Sequence, residues 1–430
     1  MTPKLFDLDH YVARWSRAAD DLALRQRPCG WSIALFDSIA HVREQDWDAL
    51  VGARLFMGRR YLAAIERARP PRMGFRYALC YDGARPVAAA SFQVLELALD
   101  AFGSRVPVPP PANDEPLRRR LRAAGRNAWR EVSDALGEGG AQRVLINGNA
   151  LVSGEHGFAI ADGVDPRQAF HALADATYRL RRAEKLHGGI ASVLIKDFGD
   201  AARVNADELQ RFGYHALQVD PNMALAIDPG WRRFDDYLGA LSAKYRRKVK
   251  DVRKKAAGLR CERLDAAAVA RQAAALHSLY LAVHEKSELR LANPGPDYFP
   301  ELAAALGDDA VLRTWSLDGT VVGCSLALGG RDELEAHMVG LDYDVNVEHG
   351  VYQSALYQFV DDAIGRGARE LSMGRTALEI KSAVGATARP MTCYLRHANP
   401  VGNRIMRPLV AQIGPTPWSP RNPFRDDAHP

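Results

Sequence analysis

The sequence predicts an α/β (α+β) fold of two tandem units, each a mixed and mostly antiparallel sheet flanked by helices. At 430 residues the chain is longer than one ordinary hydrophobic core. Residues 77–94 and 314–329 both show a strand, an Asp-Gly turn and a second strand, which is the pattern of a β-hairpin. In each half the hairpin precedes another strand, a long helix and a final strand. Two copies of one unit explain this repetition, and two unrelated α/β domains are the alternative.

In the first half, short apolar runs predict strands, and apolar residues three or four apart predict helices. The predicted strands are residues 31–39, 75–97 (a hairpin), 143–158 (strand, turn, strand) and 191–198. The predicted helices are residues 47–67, residues 114–136 and a helix that begins at Asp165 and Pro166. Asp is a favoured N-cap and Pro a favoured first-turn residue. The segment 106–111, VPVPPP, interrupts regular structure.

In the second half the same criteria predict five extended segments and five helices. The extended segments are residues 214–227, 311–328 (a hairpin), 333–341, 370–373 and 392–395. The helices are residues 231–240, 242–258, 266–286, 296–306 and 351–364. These elements divide the chain into an N-terminal arm (1–30), a first unit (31–205), a second unit (206–400) and a Pro-rich C-terminal tail (401–430).

Composition narrows the class of protein. With 47% apolar and 25% charged residues, the chain has an ordinary globular composition. It has no apolar run long enough for a membrane span and no apolar leader, so we expect a cytoplasmic protein. Its five cysteines are scattered singly without a CxxC pair, which argues against a disulfide framework and against a zinc site, so no metal is expected.

The basic window, residues 244–255 (KYRRKVKDVRKK), is the most distinctive segment. It holds five of the ten lysines and a charge of about +7, whereas the whole chain has a net charge of only +5. Leu241, Tyr245, Val249 and Val252 recur at helical spacing, and Asp251 is the only carboxylate in the window. The imbalance of sign indicates a surface for one anionic partner. A plain solvated helix face is the alternative.

Residues 241–258 resemble the basic segment of the GNAT-like domain in bacterial acyltransferases related to the Fem-type aminoacyl transferases. In that family a Gly-led helix, a short strand ending in glycine and a lysine follow. Gly350, residues 371–377 (LSMGRTA) and Lys381 match these pieces. The resemblance covers residues 215–400, and the first half resembles the degenerate first copy of tandem GNAT proteins. It implies tandem GNAT-like domains, with the active cleft in the second.

The resemblance implies an N-acyltransferase. An acyl or aminoacyl group would move from a phosphate-bearing carrier, acyl-CoA or aminoacyl-tRNA, to an amine on a small molecule or peptide. Arg246, Arg247 and Lys250 are the expected anion contacts, and Gly350 opens the helix whose N-terminus would face the donor. Gly374 would permit close backbone approach, while Arg375 and Lys381 would bind a carboxylate or phosphate. A structural turn with two surface cations is the alternative for this last segment.

The expected donor loop departs from the acetyl-CoA pattern. Residues 344–350 (DVNVEHG) are predicted to form a turn with a single glycine, Gly350, and with Glu348 close before it. An acidic side chain beside a pyrophosphate is unfavourable. The sequence therefore favours a tRNA-borne or other acyl donor over acetyl-CoA, with the basic window supplying the phosphate contacts.

A general base for the amine is expected on residues 333–341, ELEAHMVGL. Alternation places Glu335 and His337 on one face of the strand. We rank His337 first as the catalytic base, with Glu335 and Glu348 as further candidates. A solvated strand face without chemistry is the alternative.

Two other functions remain open on sequence alone. One is a non-catalytic nucleic-acid-binding protein that uses the basic window, and the other is a GNAT-fold scaffold that has lost its chemistry. The oligomeric state and the identity of the donor and acceptor are not encoded in any pattern.

Overall fold

The computed structural model describes residues 8–97, 142–286, 292–411 and 414–425. The predicted helix 114–136 and the Pro-rich segment 106–111 lie outside these residues. Within them, a mixed sheet of thirteen strands runs through both halves of the chain. Its strands are β1 (Ser32–Phe36), β2 (Met73–Asp82), β3 (Arg85–Leu97), β4 (Gln142–Asn147), β5 (Phe158–Ile160), β6 (Ser192–Phe198), β7 (His215–Ala226), β8 (Arg260–Leu264), β9 (Ala310–Leu317), β10 (Thr320–Gly329), β11 (Glu333–Leu341), β12 (Glu370–Ser372) and β13 (Thr387–His397).

Helices flank the sheet, as the predicted fold class requires. They are α1 (Leu8–Gln26), α2 (Glu44–Val51), α3 (Arg59–Arg67), α4 (Pro166–Ala183), α5 (Asp200–Ala206), α6 (Phe234–Ala240), α7 (Ala243–Lys255), α8 (Ala266–Lys286), α9 (Tyr298–Leu306), α10 (Tyr343–His349), α11 (Val351–Arg366), α12 (Leu378–Ser382) and α13 (Pro400–Val410). Asp165 caps α4 by accepting from the backbone N–H of Arg167, and Pro166 occupies its first turn, as predicted.

The strand order is symmetric about the middle of the sheet. It reads β1-β2-β3-β4-β6-β13-β7-β12-β11-β10-β9-β8, and β5 pairs separately with β3. In the first half a hairpin leads to β4, which is parallel to β6, and in the second half a hairpin leads to β11, which is parallel to β12. The two halves therefore have the same strand order when each is followed outward from the centre.

The two central strands, β7 and β13, join the halves. Each lies in the half of the sheet opposite to the strand that precedes it in sequence. Strand β7 follows the first half in sequence but pairs with β12 of the second half. Strand β13, the last strand among the described residues, pairs with β6 of the first half. The two central strands pair with each other in antiparallel fashion. Their exchange closes the sheet across the junction and brings the ends of β6, β11 and β12 into one region.

The hydrophobic core also crosses this junction. Helix α3 of the first half packs on helix α9 of the second half, and their apolar residues belong to one buried cluster that includes Tyr61, Leu62, Ile65, Tyr298, Phe299 and Leu302. This continuous core holds the two sheet halves in a fixed relation.

Several predicted elements need correction. The predicted helix 47–67 is two helices, α2 and α3, because the chain reverses at Gly52 with φ of 60°. The predicted turn 344–350 is mostly helix α10, because Asp342 accepts from the N–H groups of Asp344 and Val345 and so caps it. Ser242 precedes α7, but its side chain makes no capping bond. Residues 400–410, for which no helix was predicted, form helix α13.

We expect Gly340→Ala to destabilise the fold by about 1–3 kcal/mol, because overpacking displaces α8 from β11. A Cβ at Gly340 would lie 2.6 Å from the Tyr280 backbone nitrogen and 2.7 Å from the Leu279 carbonyl carbon. Gly365→Ala in α11 is the control, since nothing lies within 4 Å of its Cβ position. Urea unfolding measures both free energies. Equal stability of the Gly340→Ala variant and the wild type would contradict this packing.

Candidate active site

Strand β11 presents its polar residues to the junction between the halves. Its pairing with β10 shifts register, so that Leu326 faces Met338 while Ala327 faces Ala336, and His337 is the extra residue of a β-bulge. Met338 packs in the core cluster that contains Tyr298, whereas Leu334 and Ala336 pack in a cluster on the other face. The bulge thus leaves Glu335, His337 and Met338 on one side of the sheet.

Glu335 is a buried carboxylate with an unsatisfied oxygen. Its residue is 4% exposed, and Oε2 has no hydrogen-bond partner among the described residues. Burial raises the pKa of Glu335 to about 7, against the opposing effects of a hydrogen bond from Ser372 and of the charges of Lys381 and Lys196. Ser372 is fixed in turn by Asn222, whose Nδ2 donates to its hydroxyl at 3.0 Å. A carboxylate with these properties can accept a proton near neutral pH.

The loop between β12 and α12 places Lys381 beside this carboxylate. Gly374 and Ala377 both adopt left-handed backbone, with φ of 71° and 53°, and turn the chain back into the short helix α12. Lys381 is 5% exposed, and its Nζ donates a single long bond to the described residues, of 3.5 Å to the Thr376 hydroxyl. Burial lowers the pKa of Lys381 to about 8, and the charge of Glu335 opposes this shift. A Cβ at Gly374 would lie 4.0 Å from Nζ, so close approach is possible there.

Asp197 ties this loop to the first half. The residue is fully buried at the end of β6 with φ of 72°, an uncommon conformation for a residue other than glycine. Its carboxylate forms an ion pair with Arg375 and another with Lys196, and it accepts from the Gly154 N–H at 3.1 Å. The Cys393 thiol of β13 donates to it at 3.3 Å. Burial lowers the pKa of Arg375, whose Nε is unsatisfied within the described part of the chain.

His337 lies at the end of a chain of hydrogen bonds from the first half. Its Nε2 lies 2.7 Å from the Tyr298 hydroxyl, and that hydroxyl lies 3.2 Å from the hydroxyl of Tyr61. Asn149 Nδ2 donates to Tyr61 at 2.8 Å. Burial, with a smaller effect from the nearby His156, lowers the pKa of His337 to about 3. The ring is therefore neutral at physiological pH.

The basic helix α7 packs by its apolar face and leaves its cations outside. Tyr245 and Val249 are buried in the core of the second half. None of the eight Lys and Arg side chains of α7 has a carboxylate within 4 Å in the described ranges. Lys248 lies 4.8 Å from the Tyr245 ring centroid, and Arg253 lies 4.6 Å from that of Phe234.

The end of α7 contacts the entry of α11. His349 Nδ1 lies 3.3 Å from the Lys255 carbonyl oxygen, and α10 leads through Gly350, with φ of 62°, into α11. Glu348 points outward with an 82% exposed side chain. It therefore does not join the Glu335 cluster.

The C-terminal segment, residues 414–425, connects the start of α7 with α12. The Ser242 N–H donates to the Pro423 carbonyl at 2.9 Å, and Arg421 donates to Glu379 of α12 at 2.5 Å. Among the described residues, no direct hydrogen bond or ion pair joins α7 to Arg375 or Lys381. The structure thus gathers Glu335, His337, Gly374, Arg375 and Lys381 at the junction, and it places Arg246, Arg247, Lys250 and Gly350 on a neighbouring surface of the second half.

Sequence reasoning did not identify the contributions of the first half. Lys196 and Asp197 follow the apolar run of β6, and an adjacent pair of charges there was a usable signal. Tyr61, Asn149 and Asn222 carry no comparable signal, because their roles depend on contacts between distant segments.

Comparisons with known proteins identify the fold. Residues 243–382 match the family model for the acetyltransferase (GNAT) domain. The structure resembles the crystal structure of FemX, with a TM-score of 0.52, 13% identity, and coverage of 87% of this chain and 100% of that one. It also matches a tandem GNAT protein from the clavulanic acid biosynthesis pathway, with a TM-score of 0.47, 11% identity, and coverage of 86% and 99%. No curated protein matches the sequence.

The family match over residues 243–382 and the mixed sheet confirm the predicted fold class and the predicted GNAT-like acyltransferase domain in the second half. The likeness to FemX shows that the two chains share a fold. Within the ranges that the structure covers, no helix has the length and apolar character needed to cross a membrane, and no cluster of His, Cys, Asp and Glu could bind a metal ion.

The buried Glu335 predicts a specific dependence of stability on pH. Its pKa is about 7 in the folded chain and near 4.5 when unfolded, so ionisation opposes folding. The free energy of unfolding should therefore fall by up to about 3 kcal/mol from this group as the pH rises from 4.5 to 7. Glu335→Gln should lack that part of the decrease.

Urea unfolding at pH 5 and pH 8 measures the effect, with Glu262→Gln on the exposed strand β8 as the control. If the wild type and Glu335→Gln lose stability equally between the two pH values, Glu335 does not titrate as described.

Proposed function

Because residues 243–382 are a GNAT acyltransferase domain, we propose that the chain is an N-acyltransferase whose reaction takes place at the junction between its halves. The observation that supports this site best is the pair of buried, under-satisfied side chains, Glu335 and Lys381. Within the described part of the chain, Glu335 has a carboxylate oxygen without a hydrogen bond, and the Lys381 ammonium has a single long one. Buried polar groups are normally satisfied, so both are expected to find their partners in a substrate.

The two side chains suit the two charges that develop in acyl transfer. The amine nitrogen attacks the carbonyl carbon of the donor ester or thioester, and Glu335 accepts the proton that the nitrogen loses. The carbonyl oxygen becomes an oxyanion, which the protonated Lys381 stabilises. When the tetrahedral intermediate collapses, the bond to the carrier breaks, and the proton on Glu335 passes to the departing hydroxyl or thiol.

We assign the base to Glu335 and not to His337. The Tyr298 hydroxyl lies 2.7 Å from His337 Nε2, and the pKa of the ring is about 3, so the histidine is a weak proton acceptor. Glu335 has a free oxygen and a pKa of about 7. The exposed Glu348 is a less suitable candidate, because its side chain lies outside the buried cluster.

The donor is proposed to be a carrier with several phosphates, bound along α7. The cations of α7 lack carboxylate partners within the described ranges, and the helix contacts the entry of α11 at His349 and Gly350. Helix α10 fills the place where an acetyl-CoA enzyme of this resemblance would have a glycine-rich loop, and it carries Glu348 toward solvent. This favours a carrier that binds the basic helix, such as an aminoacyl-tRNA, over acetyl-CoA.

Glu335 and Lys381 predict a bell-shaped pH profile for kcat. Activity should rise as Glu335 ionises near pH 7 and fall as Lys381 loses its proton above about pH 8. Glu335→Gln should lower kcat by about 10²–10⁴-fold and Lys381→Met by about 10²–10³-fold, with little change in donor affinity.

Transfer is measured by intact mass of the amine product at saturating donor, corrected for the neutral fraction of the amine. Glu262→Gln is the control and should retain activity. Full activity in Glu335→Gln would rule out this base.

Removal of two cations from α7 should weaken donor binding. We expect Arg247→Ala/Lys250→Ala to bind its carrier about 10-fold to 100-fold more weakly. The slope of log affinity against log salt concentration should be smaller in magnitude by about two. Arg404→Ala/Arg407→Ala, which removes two exposed cations from α13, is the matched control. Fluorescence anisotropy with charged tRNA and with CoA over a salt series distinguishes the two carriers. Equal affinities of the two double variants would contradict binding along α7.

A further inference from the structure

Asn149 fixes the direction of the hydrogen bonds that lead to His337. Its Oδ1 accepts from the Leu151 N–H at 2.9 Å, so this oxygen is identified by a backbone donor. The other end of the amide must then be the NH₂ group, and it donates to the Tyr61 hydroxyl at 2.8 Å.

The same order of donor and acceptor continues from Tyr61 to the His337 ring. Because Tyr61 accepts from Asn149, its own hydrogen is directed to the only other group bonded to its oxygen in the described structure, the Tyr298 hydroxyl. Tyr298 consequently donates to His337 Nε2 at 2.7 Å. Nε2 is an acceptor, so the hydrogen of the neutral ring is on Nδ1.

The Nδ1–H group is left without an acceptor. His337 Nδ1 is buried, and it makes no hydrogen bond to any described residue. An unsatisfied buried donor costs about 1–3 kcal/mol, so a partner from a ligand would be favoured. The same side of β11 carries Glu335, which has the unsatisfied oxygen of the proposed reaction site.

The aromatic rings packed around His337 carry no charge. The rings of Phe56 and Tyr298 lie 6.2 and 5.8 Å from the His337 ring, and the His156 ring packs against Phe56 in a tilted arrangement, with centroids 4.7 Å apart. All three of these rings come from outside β11, and two of them, Phe56 and His156, come from the first half of the chain. Aromatic rings around one fixed N–H donor suit the binding of an uncharged oxygen.

We propose that His337 is a substrate-binding donor, whose Nδ1–H binds a neutral carbonyl oxygen next to the reacting amine. This inference rests on the proposed N-acyltransferase function. It makes the acceptor an amine that carries an amide, as in an amino-acid amide or a peptide. The carbonyl of the acyl donor has the same chemistry, so the experiment includes both sources.

The full-length protein with ¹⁵N-labelled histidine tests the tautomer first. The His337 ring signals are identified by their absence in His337→Phe. The wild type should carry its hydrogen on Nδ1, and Tyr298→Phe should allow it to move to Nε2. Tyr280→Phe, which removes another partly buried hydroxyl near a histidine, should leave the signals unchanged. A hydrogen on Nε2 in the wild type overturns the proposal.

The same signals then test binding. Glycinamide should shift the Nδ1–H resonance while ethylamine should not, and a shift by acetyl-CoA but not by CoA would assign the carbonyl to the donor instead of the acceptor. The wild type should prefer glycinamide to ethylamine in kcat/KM by about 10-fold more than His337→Phe does. No shift with either carbonyl compound at saturation overturns the proposal, even if turnover persists. Shifts without any turnover would instead contradict the proposed transferase function.

Discussion

The buried carboxylate of Asp197 is the interaction on which the junction depends. It lies between two cations, Lys196 of its own strand and Arg375 of the opposite half, and it also binds the thiol of Cys393. Loss of one member of such a buried group leaves uncompensated charge and commonly costs 3–5 kcal/mol. Its left-handed backbone, with φ of 72°, turns the chain at the end of β6 so that the carboxylate faces inward. This one side chain thereby connects β6, β13 and the loop before α12, which carries Arg375.

The exchanged central strands explain why such a connection is possible. Because β13 pairs with β6 while β7 pairs with β12, the last strand of the sequence run β8 to β13 completes the first half of the sheet. The last strand of the run β1 to β7 completes the second half. The proposed site forms where these strands meet. Its reacting carboxylate comes from β11, and its aromatic rings come partly from Phe56 and His156 of the first half. The first half thus contributes to the proposed site, although the domain that matches the GNAT family lies wholly in the second.

The sequence was informative where local periodicity sets the structure. The alternation of ELEAHMVGL correctly placed Glu335 and His337 on one side of β11, and the apolar stripe of Tyr245 and Val249 correctly predicted the buried face of α7. Local signals were missed where they are weak. Gly52 divides a helix that otherwise has continuous helical spacing, and Asp342 caps α10 within a segment that was interpreted as a turn. The hydrogen-bonded set Asn149, Tyr61 and Tyr298 could not be predicted, because it joins segments far apart in sequence through the strand exchange and the core between α3 and α9.

Affinity labelling tests most directly whether acyl transfer occurs at the junction. A bromoacetyl group carried on CoA, or on the amino acid of a charged tRNA, brings an electrophile to the position of the acyl carbonyl. Lys381, with its pKa of about 8, has a substantial neutral fraction at pH 8 and should be alkylated by one of the two carriers, as peptide mapping by mass spectrometry would show. Labels found only at residues remote from Glu335 and Lys381, with both carriers bound, would contradict the proposed site.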